Sequence, residues 1–298
     1  MFVREKVIKA ILDSGENFMS GEQLSKKLGI SRTAVWKHIN ALREEGYNIE
    51  SVNKKGYRLA EKPDDILSSE NIAYNLPTEF IGKKVIHLDT VGSTNDYAKE
   101  IGNKVSGGTL IIKPKIEPYK APFLTLVAGA SVVKALSNLG VEASIKWPND
   151  IIVHNKKICG ILTELSAEME RVNYVVIGIG INIKTIDFPD EIKEKATSLY
   201  KEGYKLSRVD IVRQFCIEFE KLYKGYILDG NKQDTLELCR KYSAIIGKQV
   251  YVIKNNKREL VKCIDINENG NLIVKEKNGE IQEIMSGEVS IRGVKGYV

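Results

Sequence analysis

The 298 residues carry 45 Lys plus Arg against 39 Asp plus Glu, a formal net charge of +6, and 43% of them are apolar. That supplies real cores and tolerates a nucleic-acid partner without requiring one, since the placement of charge matters more than its sum. Four cysteines without a C-x-x-C pair and three scattered histidines exclude any disulfide framework or zinc site readable from spacing.

The first eighteen residues are amphipathic and carry acids, unlike a signal peptide. The most apolar run, Val175–Ile183, is far short of a membrane span. A soluble, cytoplasmic protein without a membrane partner is expected.

Val3, Val7, Ile8, Ile11 and Leu12 recur at helical spacing. Ser20 opens a second helix with Gln23 three residues on, a capping box, and Gly29 can end it. Ser31 can cap a third, Arg32–Glu45, whose Val35, Ile39 and Leu42 point inward. Arg32, Thr33, Lys37 and Asn40 face elsewhere, with Trp36 on the flank. Ile49–Val52 and Tyr57–Leu59 flank a basic turn and read as a hairpin.

Three helices and a basic hairpin predict a winged helix-turn-helix that binds duplex DNA. Its third helix, with Arg32, Thr33, Trp36, Lys37 and Asn40, enters the major groove. Lys54, Lys55 and Arg58 of the wing reach phosphates. The alternative is a winged helix used for protein contacts, its charges simply solvated.

Glu61–Asp65 reads as a linker. Beyond it, Lys84–Leu88 is a predicted strand, Ser93 and Thr94 cap a helix to about Ile101, and Phe123–Leu139 is a long buried helix. Ser144–Trp147, Ile151–Val153, Ile158–Leu165 and Tyr174–Ile183 are predicted strands, and Arg208–Leu228 is an amphipathic helix. Gly178 and Gly180 inside a strand permit close approach of a ligand or another backbone. Strands and helices mixed without regular alternation indicate an α+β fold. From Gly247 onward, short strands joined by Asn-Gly turns indicate a small β-barrel.

Gly92-Ser-Thr-Asn95, Lys146-Trp-Pro-Asn-Asp150, Lys157-Ile-Cys-Gly-Ile-Leu162 with Glu164, Gly178-Ile-Gly-Ile-Asn182 and Gly287-Glu-Val-Ser-Ile-Arg292 occur in this order. Together they resemble the bifunctional biotin protein ligase and biotin operon repressor family, called BirA. The likeness spans nearly the whole chain; K-W-P-N-D is specific, whereas G-x-G-x-N alone is weak. It implies a winged-helix DNA-binding domain over 1–62, a class II synthetase-like biotin- and ATP-binding catalytic domain over 63–245, and an SH3-like β-barrel over 246–298.

The resemblance also implies a reaction. Biotin and ATP form biotinyl-5′-adenylate, and biotin then passes to a lysine of a biotin carboxyl carrier protein. A homodimer promoted by the adenylate represses the biotin operator.

Carried onto this chain, Lys157 and Asp150 are the candidate catalytic residues. Ser93, Thr94, Asn95 and Lys157 face biotin, and Lys146, Asn149, Asn182 and Arg292 face the nucleotide, with Asn149 or Asp150 near Mg2+. Short hydroxyl and amide side chains suit a ureido group, which has one acceptor and two donors. A fixed cation at Lys157 suits charge developing at the α-phosphate. Taken alone, Ser-Thr-Asn is equally a helix cap, and Lys157 a solvated turn lysine.

One departure stands out. The family's G-R-G-R-x-G loop belongs between Thr109 and Lys113, where this chain runs Gly107-Gly-Thr-Leu-Ile-Ile-Lys-Pro114. A stretch on the order of thirty residues is lacking, and with it the arginines and amides that hold phosphate. The alternative to a working ligase and repressor is therefore a ligase-impaired regulator, or a DNA-binding protein whose body serves only dimer contacts.

Overall fold

The computed structural model describes residues 3–297 except 62–64, 89–91, 103–110, 113, 115, 169–170, 255–256, 287–289 and 295–296. Most of the expected linker, the junction at Thr109 and Lys113, and Gly287–Val289 of the last motif lie outside the described residues. The chain divides into two compact units. One comprises Met1–Leu76, Val85–His87 and Ser207–Asp210; the other comprises Pro77–Lys84, Leu88–Leu206 and Ile211–Val298.

In the first unit, helices α1 (Val3–Asp13), α2 (Gly21–Leu28) and α3 (Arg32–Glu44) precede the hairpin β1 (Ile49–Val52) and β2 (Gly56–Leu59). Val7, Ile8, Ile11, Leu24, Val35, Ile39 and Leu42 meet in one buried core, as their helical spacing requires. Ser20 and Gln23 form the capping box, Gly29 ends α2 at φ +67°, and Ser31 accepts from the Ala34 amide to start α3.

The wing is tied to the body by two backbone hydrogen bonds of 2.9 Å between Tyr57 and Met19. That approach needs glycine at 56: its φ is +112°, and an added Cβ would lie 2.3 Å from the Met19 carbonyl oxygen. Helix α4 (Ser69–Ala73) was not expected from the sequence. Asn71 Nδ2 anchors it to Ile66 O at 2.8 Å and to Tyr47 OH at 3.2 Å.

The second unit begins with helix α5 (Thr94–Gly102), strand β3 (Ile111–Ile112) and helix α6 (Phe123–Asn138). Strands β4 (Ser144–Lys146), β5 (Asp150–Val153), β6 (Lys156–Glu168) and β7 (Arg171–Ile181) follow. They form an antiparallel sheet of order β3-β7-β6-β5-β4. One face is covered by α6: Thr125 Oγ1 bonds Thr163 Oγ1 at 2.8 Å, and Gly129 lets Ile161 in.

Helix α6 is nearly all buried, which explains its apolar run. By length and composition, Pro118–Asn138 is apolar enough to cross a membrane, which Val175–Ile183 is not. Yet 72% of its most apolar window is buried inside the fold. Helices α7 (Arg208–Leu228) and α8 (Gln233–Lys241) follow, the latter unexpected and packed on α6.

Strands β8 (Gln249–Lys254), β9 (Lys257–Ile266), β10 (Leu272–Lys275), β11 (Ile281–Ile284) and β12 (Ser290–Gly293) complete the chain. They form a five-stranded antiparallel sheet of order β11-β10-β9-β8-β12. The closed barrel expected here is corrected to an open sheet: β11 and β12 are its two edges and do not pair among the described residues. Trp147 Nε1 donates to Gly270 O at 2.9 Å, joining the β9–β10 turn to the segment before β5.

The strand expected at Lys84–Leu88 is also corrected. Its described backbone is irregular, with Ile86 and Leu88 exposed. No strand pairs with it among the described residues, and an unpaired extended segment is not a strand.

Candidate active site and nucleic-acid interface

Within the first unit, Arg32, Thr33, Trp36 and Lys37 lie exposed along one side of α3, with Trp36 54% exposed. Asn40 is half-buried and accepts from Arg43 Nη1 at 3.2 Å. Arg43 also donates to Ile49 O and Ser51 Oγ at 2.8 and 2.7 Å, which fixes the hairpin against the helix. Lys54 and Lys55 project from the wing tip. Arg58 is turned back: it pairs with Glu50 at 2.7 Å and lies 4.6 Å over the Phe18 ring. Four α3 side chains and two wing lysines therefore face outward, while Asn40 and Arg58 are engaged within the unit.

In the second unit, the strand register brings three motifs together. Lys146 on β4 pairs with Asp150 on β5, Asp150 with Gly160 on β6, and Gly160 with Gly180 on β7. Directly paired residues point to the same side of a sheet. Lys146, Asp150, Gly160 and Gly180 thus form one row across four strands, on the face away from α6. Leu162, 58% exposed, and its partner Gly178 make the next row. Two charged groups, the apolar Leu162 and a Gly180 with no side chain over it adjoin there, the composition a mixed apolar and polar ligand requires.

Lys157, at the start of β6, reaches over Gly160 to place Nζ 2.5 Å from Asp150 Oδ1. An added Cβ at 160 would sit 3.0 Å from that ammonium. The contact is an ion pair without hydrogen-bond alignment, since Oδ1 is buried and accepts no aligned donor. Tyr297 donates its hydroxyl to Asp150 Oδ2, and Lys146 Nζ lies 3.5 Å over the same ring.

Lys146 is 3% exposed. Burial pushes its ammonium down to about 8; Asp150 opposes the shift, while Arg292 and Lys157 add to it. Burial likewise pushes Tyr297 well above the usual phenol range. Cys159, beside the row, is pushed up to about 12 by burial and is no thiolate nucleophile.

Ser93 caps α5, accepting from the Asp96 amide at 3.1 Å, and Thr94 is exposed beside it. Asn95 is buried, with Nδ2 2.6 Å from Glu164 Oε2. Asn149 and Asn182 are absorbed in backbone bonds: Asn149 Nδ2 donates to Ile161 O at 2.9 Å, and Asn182 Nδ2 to Thr197 O at 3.2 Å. Arg292 is exposed and close enough to depress Lys146.

Sequence reasoning missed Tyr297, which no local pattern marks. It also missed Glu202. That residue accepts from Thr197 Oγ1 at 2.6 Å and lies 2.5 Å from His154 Nδ1, clamping the turn that precedes Lys157.

Three family profiles match the chain. One described as HTH domain covers residues 3–58, one described as Biotin/lipoate A/B protein ligase family covers 108–182, and one described as Biotin protein ligase C terminal domain covers 245–292. The chain is 37% identical over 323 aligned positions to the bifunctional ligase/repressor BirA of Bacillus spizizenii, covering 97% of this chain and 98% of that one. The chain belongs to the BirA family of bifunctional ligases and repressors.

Membership accounts for both units: a repressor's helix-turn-helix head and a biotin protein ligase body. Escherichia coli BirA is 29% identical over 317 positions, covering 96% of each chain. Biotin protein ligase from Aquifex aeolicus in complex with biotin and ATP superposes with a TM-score of 0.51 at 29% identity, over 57% of this chain and 71% of that one. The 323 positions aligned with the Bacillus relative outnumber the 298 residues here, so that relative carries segments this chain lacks.

No group of three or more His, Cys, Asp or Glu able to hold a metal occurs among the described residues. Asp150 is committed to Lys157 and Tyr297. These residues do not fit a protein-held Mg2+.

The buried Lys146 makes stability depend on pH. Unfolded, its ammonium titrates at the ordinary 10.5; folded, at about 8. Burying the charged form costs stability at pH values below both, and that cost fades as pH rises from about 8 to 10.5. Urea denaturation should show the wild type gaining stability relative to Lys146→Met across that window. A constant difference would mean that the charge is solvated.

Proposed function

We propose that this protein couples biotin to ATP on the open face of β4–β7, giving biotinyl-5′-adenylate and pyrophosphate. It then transfers biotin to a lysine of a biotin carboxyl carrier protein, and represses by binding operator DNA as a homodimer. The single observation that carries the ligase half is the row Lys146–Asp150–Gly160–Gly180, which unites residues from three separate motifs on one face.

The chemistry assigns roles. The biotin carboxylate attacks the α-phosphorus, the bond to pyrophosphate breaks, and negative charge gathers on the phosphoryl oxygens. Lys157, half-exposed and fixed by Asp150, supplies a preorganised cation there. Leu162 and the bare Gly180 receive the apolar ring. The Ser93 oxygen accepts the cap hydrogen bond and still has its own hydrogen to give, so capping α5 and donating to a ureido oxygen are compatible. Asn149, Asn182 and Arg292 border the nucleotide, the first two through the backbone they order. In the second step the acceptor amine attacks the acyl carbon and AMP leaves.

The missing Gly/Arg loop bears on rate. Without its arginines and amides, the transferring phosphoryl group loses a clamp, and removing even one such donor costs a factor of about 10² or more. A ligase-impaired regulator is the second reading, favoured by that lack alone. Cytoplasmic location is supported by four buried, unbridged thiols at Cys159, Cys216, Cys239 and Cys263.

Labelled biotin with Mg·ATP tests the enzyme. The purified chain should bind biotin and form adenylate slowly, and a G-R-G-R-x-G loop grafted between Thr109 and Leu110 should raise the rate by about 10². No biotin uptake by either protein would leave only the regulator reading.

The DNA half has its own test. Arg32→Ala with Lys37→Ala should weaken binding to a short duplex. It should also flatten the salt dependence by about one unit of log–log slope for each phosphate no longer neutralised. Unchanged binding would remove α3 from the interface.

A further inference from the structure

Asn95, expected to face biotin, is instead clamped within the fold. Asn95 is 7% exposed. Its Nδ2 donates to Glu164 Oε2 at 2.6 Å, and Glu164 Oε1 is 2.5 Å from Lys99 Nζ. Lys99 stands one helical turn beyond Asn95, on the same side of α5. Its hydrogen bond, followed by that of Asn95, holds Glu164 below the usual carboxylate range.

An ionised carboxylate only accepts, so it selects which end of the Asn95 amide faces it. The NH2 is drawn to Glu164, and the carbonyl oxygen is turned over Gly178. An added Cβ there would lie 2.0 Å from Asn95 Oδ1, so the side chain fits only against a glycine. The amide thereby ties the first turn of α5 to both β6 and β7. The two residues preceding it are Ser93 and Thr94.

We propose that Glu164 is a positioning residue for biotin: through Asn95 it fixes the start of α5, so that the Ser93 and Thr94 hydroxyls meet the ureido group in one orientation. This rests on the ligase reading. Lys99 acts behind Glu164, keeping it charged and aimed. Neither residue needs to touch the ligand. Their effect falls on biotin affinity; the Lys99–Glu164 ion pair itself, open to solvent, contributes little to folding.

The test is calorimetric titration of the full chain with biotin, with thermal unfolding run in parallel. It compares wild type with Glu164→Ala, Glu164→Gln, Glu164→Met, Asn95→Ala and the Asn95→Ala/Glu164→Ala double variant. Glu164→Ala should weaken biotin binding about tenfold, the scale of one charge-assisted hydrogen bond, with a modest fall in the unfolding midpoint because the buried Asn95 Nδ2 loses its acceptor. Glu164→Gln keeps an acceptor for Asn95 Nδ2 and should recover most of the affinity, whereas Glu164→Met, similar in bulk but without an acceptor oxygen, should not; recovery by Met would mean a packing role. In the Asn95→Ala background, Glu164→Ala should add no further loss.

Wild-type affinity in Glu164→Ala, a Gln variant no better than Ala, or losses that simply add would each overturn the proposal while leaving the ligase reading intact. A wild-type chain that takes up no biotin would overturn both.

Discussion

The second unit depends on one constraint, the hydrogen-bond register of β4 through β7. A slip of one residue between β5 and β6 would send Asp150 to one side of the sheet and Gly160 to the other. As built, Lys146, Asp150, Gly160 and Gly180 lie in line, and the glycines leave the room into which Lys157 extends. The opposite face is fixed by α6, whose nearly complete burial makes any other register costly. The polar chemistry of one face is thus set by the apolar packing of the other.

Charge on that face is distributed by burial. Lys146 is sealed beneath Tyr297, while Lys157, joined to the same carboxylate, stays half-exposed. Two lysines eleven residues apart in sequence therefore differ in environment. One is a dry cation that shapes the field around Asp150, and the other can meet an incoming anion. In the first unit the same logic separates the basic residues: Arg43 and Arg58 are spent on internal contacts, and Arg32, Lys37, Lys54 and Lys55 remain outward.

Much of this was legible in the sequence because its signals are local. The Ser20–Gln23 box, the Ser31 cap, Gly29 and the 3.6-residue spacing of Val35, Ile39 and Leu42 each act within a few residues. The strands bearing the K-W-P-N-D and G-x-G segments were found for the same reason. What escaped depends on distant partners. Lys84–Leu88 has the composition of a strand and no neighbour to pair with among the described residues. The last five strands have hairpin turns that say nothing of whether the outer pair meets. Tyr297 reaches Asp150 across most of the chain, and helix α8 shows only a narrow stripe, Thr235, Leu236 and Cys239, on a polar background.

The proposed ligase activity requires the row of paired residues to be the floor of a biotin site. Calorimetry on the full chain and on Gly180→Val addresses it directly, because the valine adds bulk to the open face without touching α6. The expected result is saturable binding of biotin to the wild type and none to the variant, at similar unfolding midpoints. Equal binding by both would contradict the account, since the ligand would then lie elsewhere.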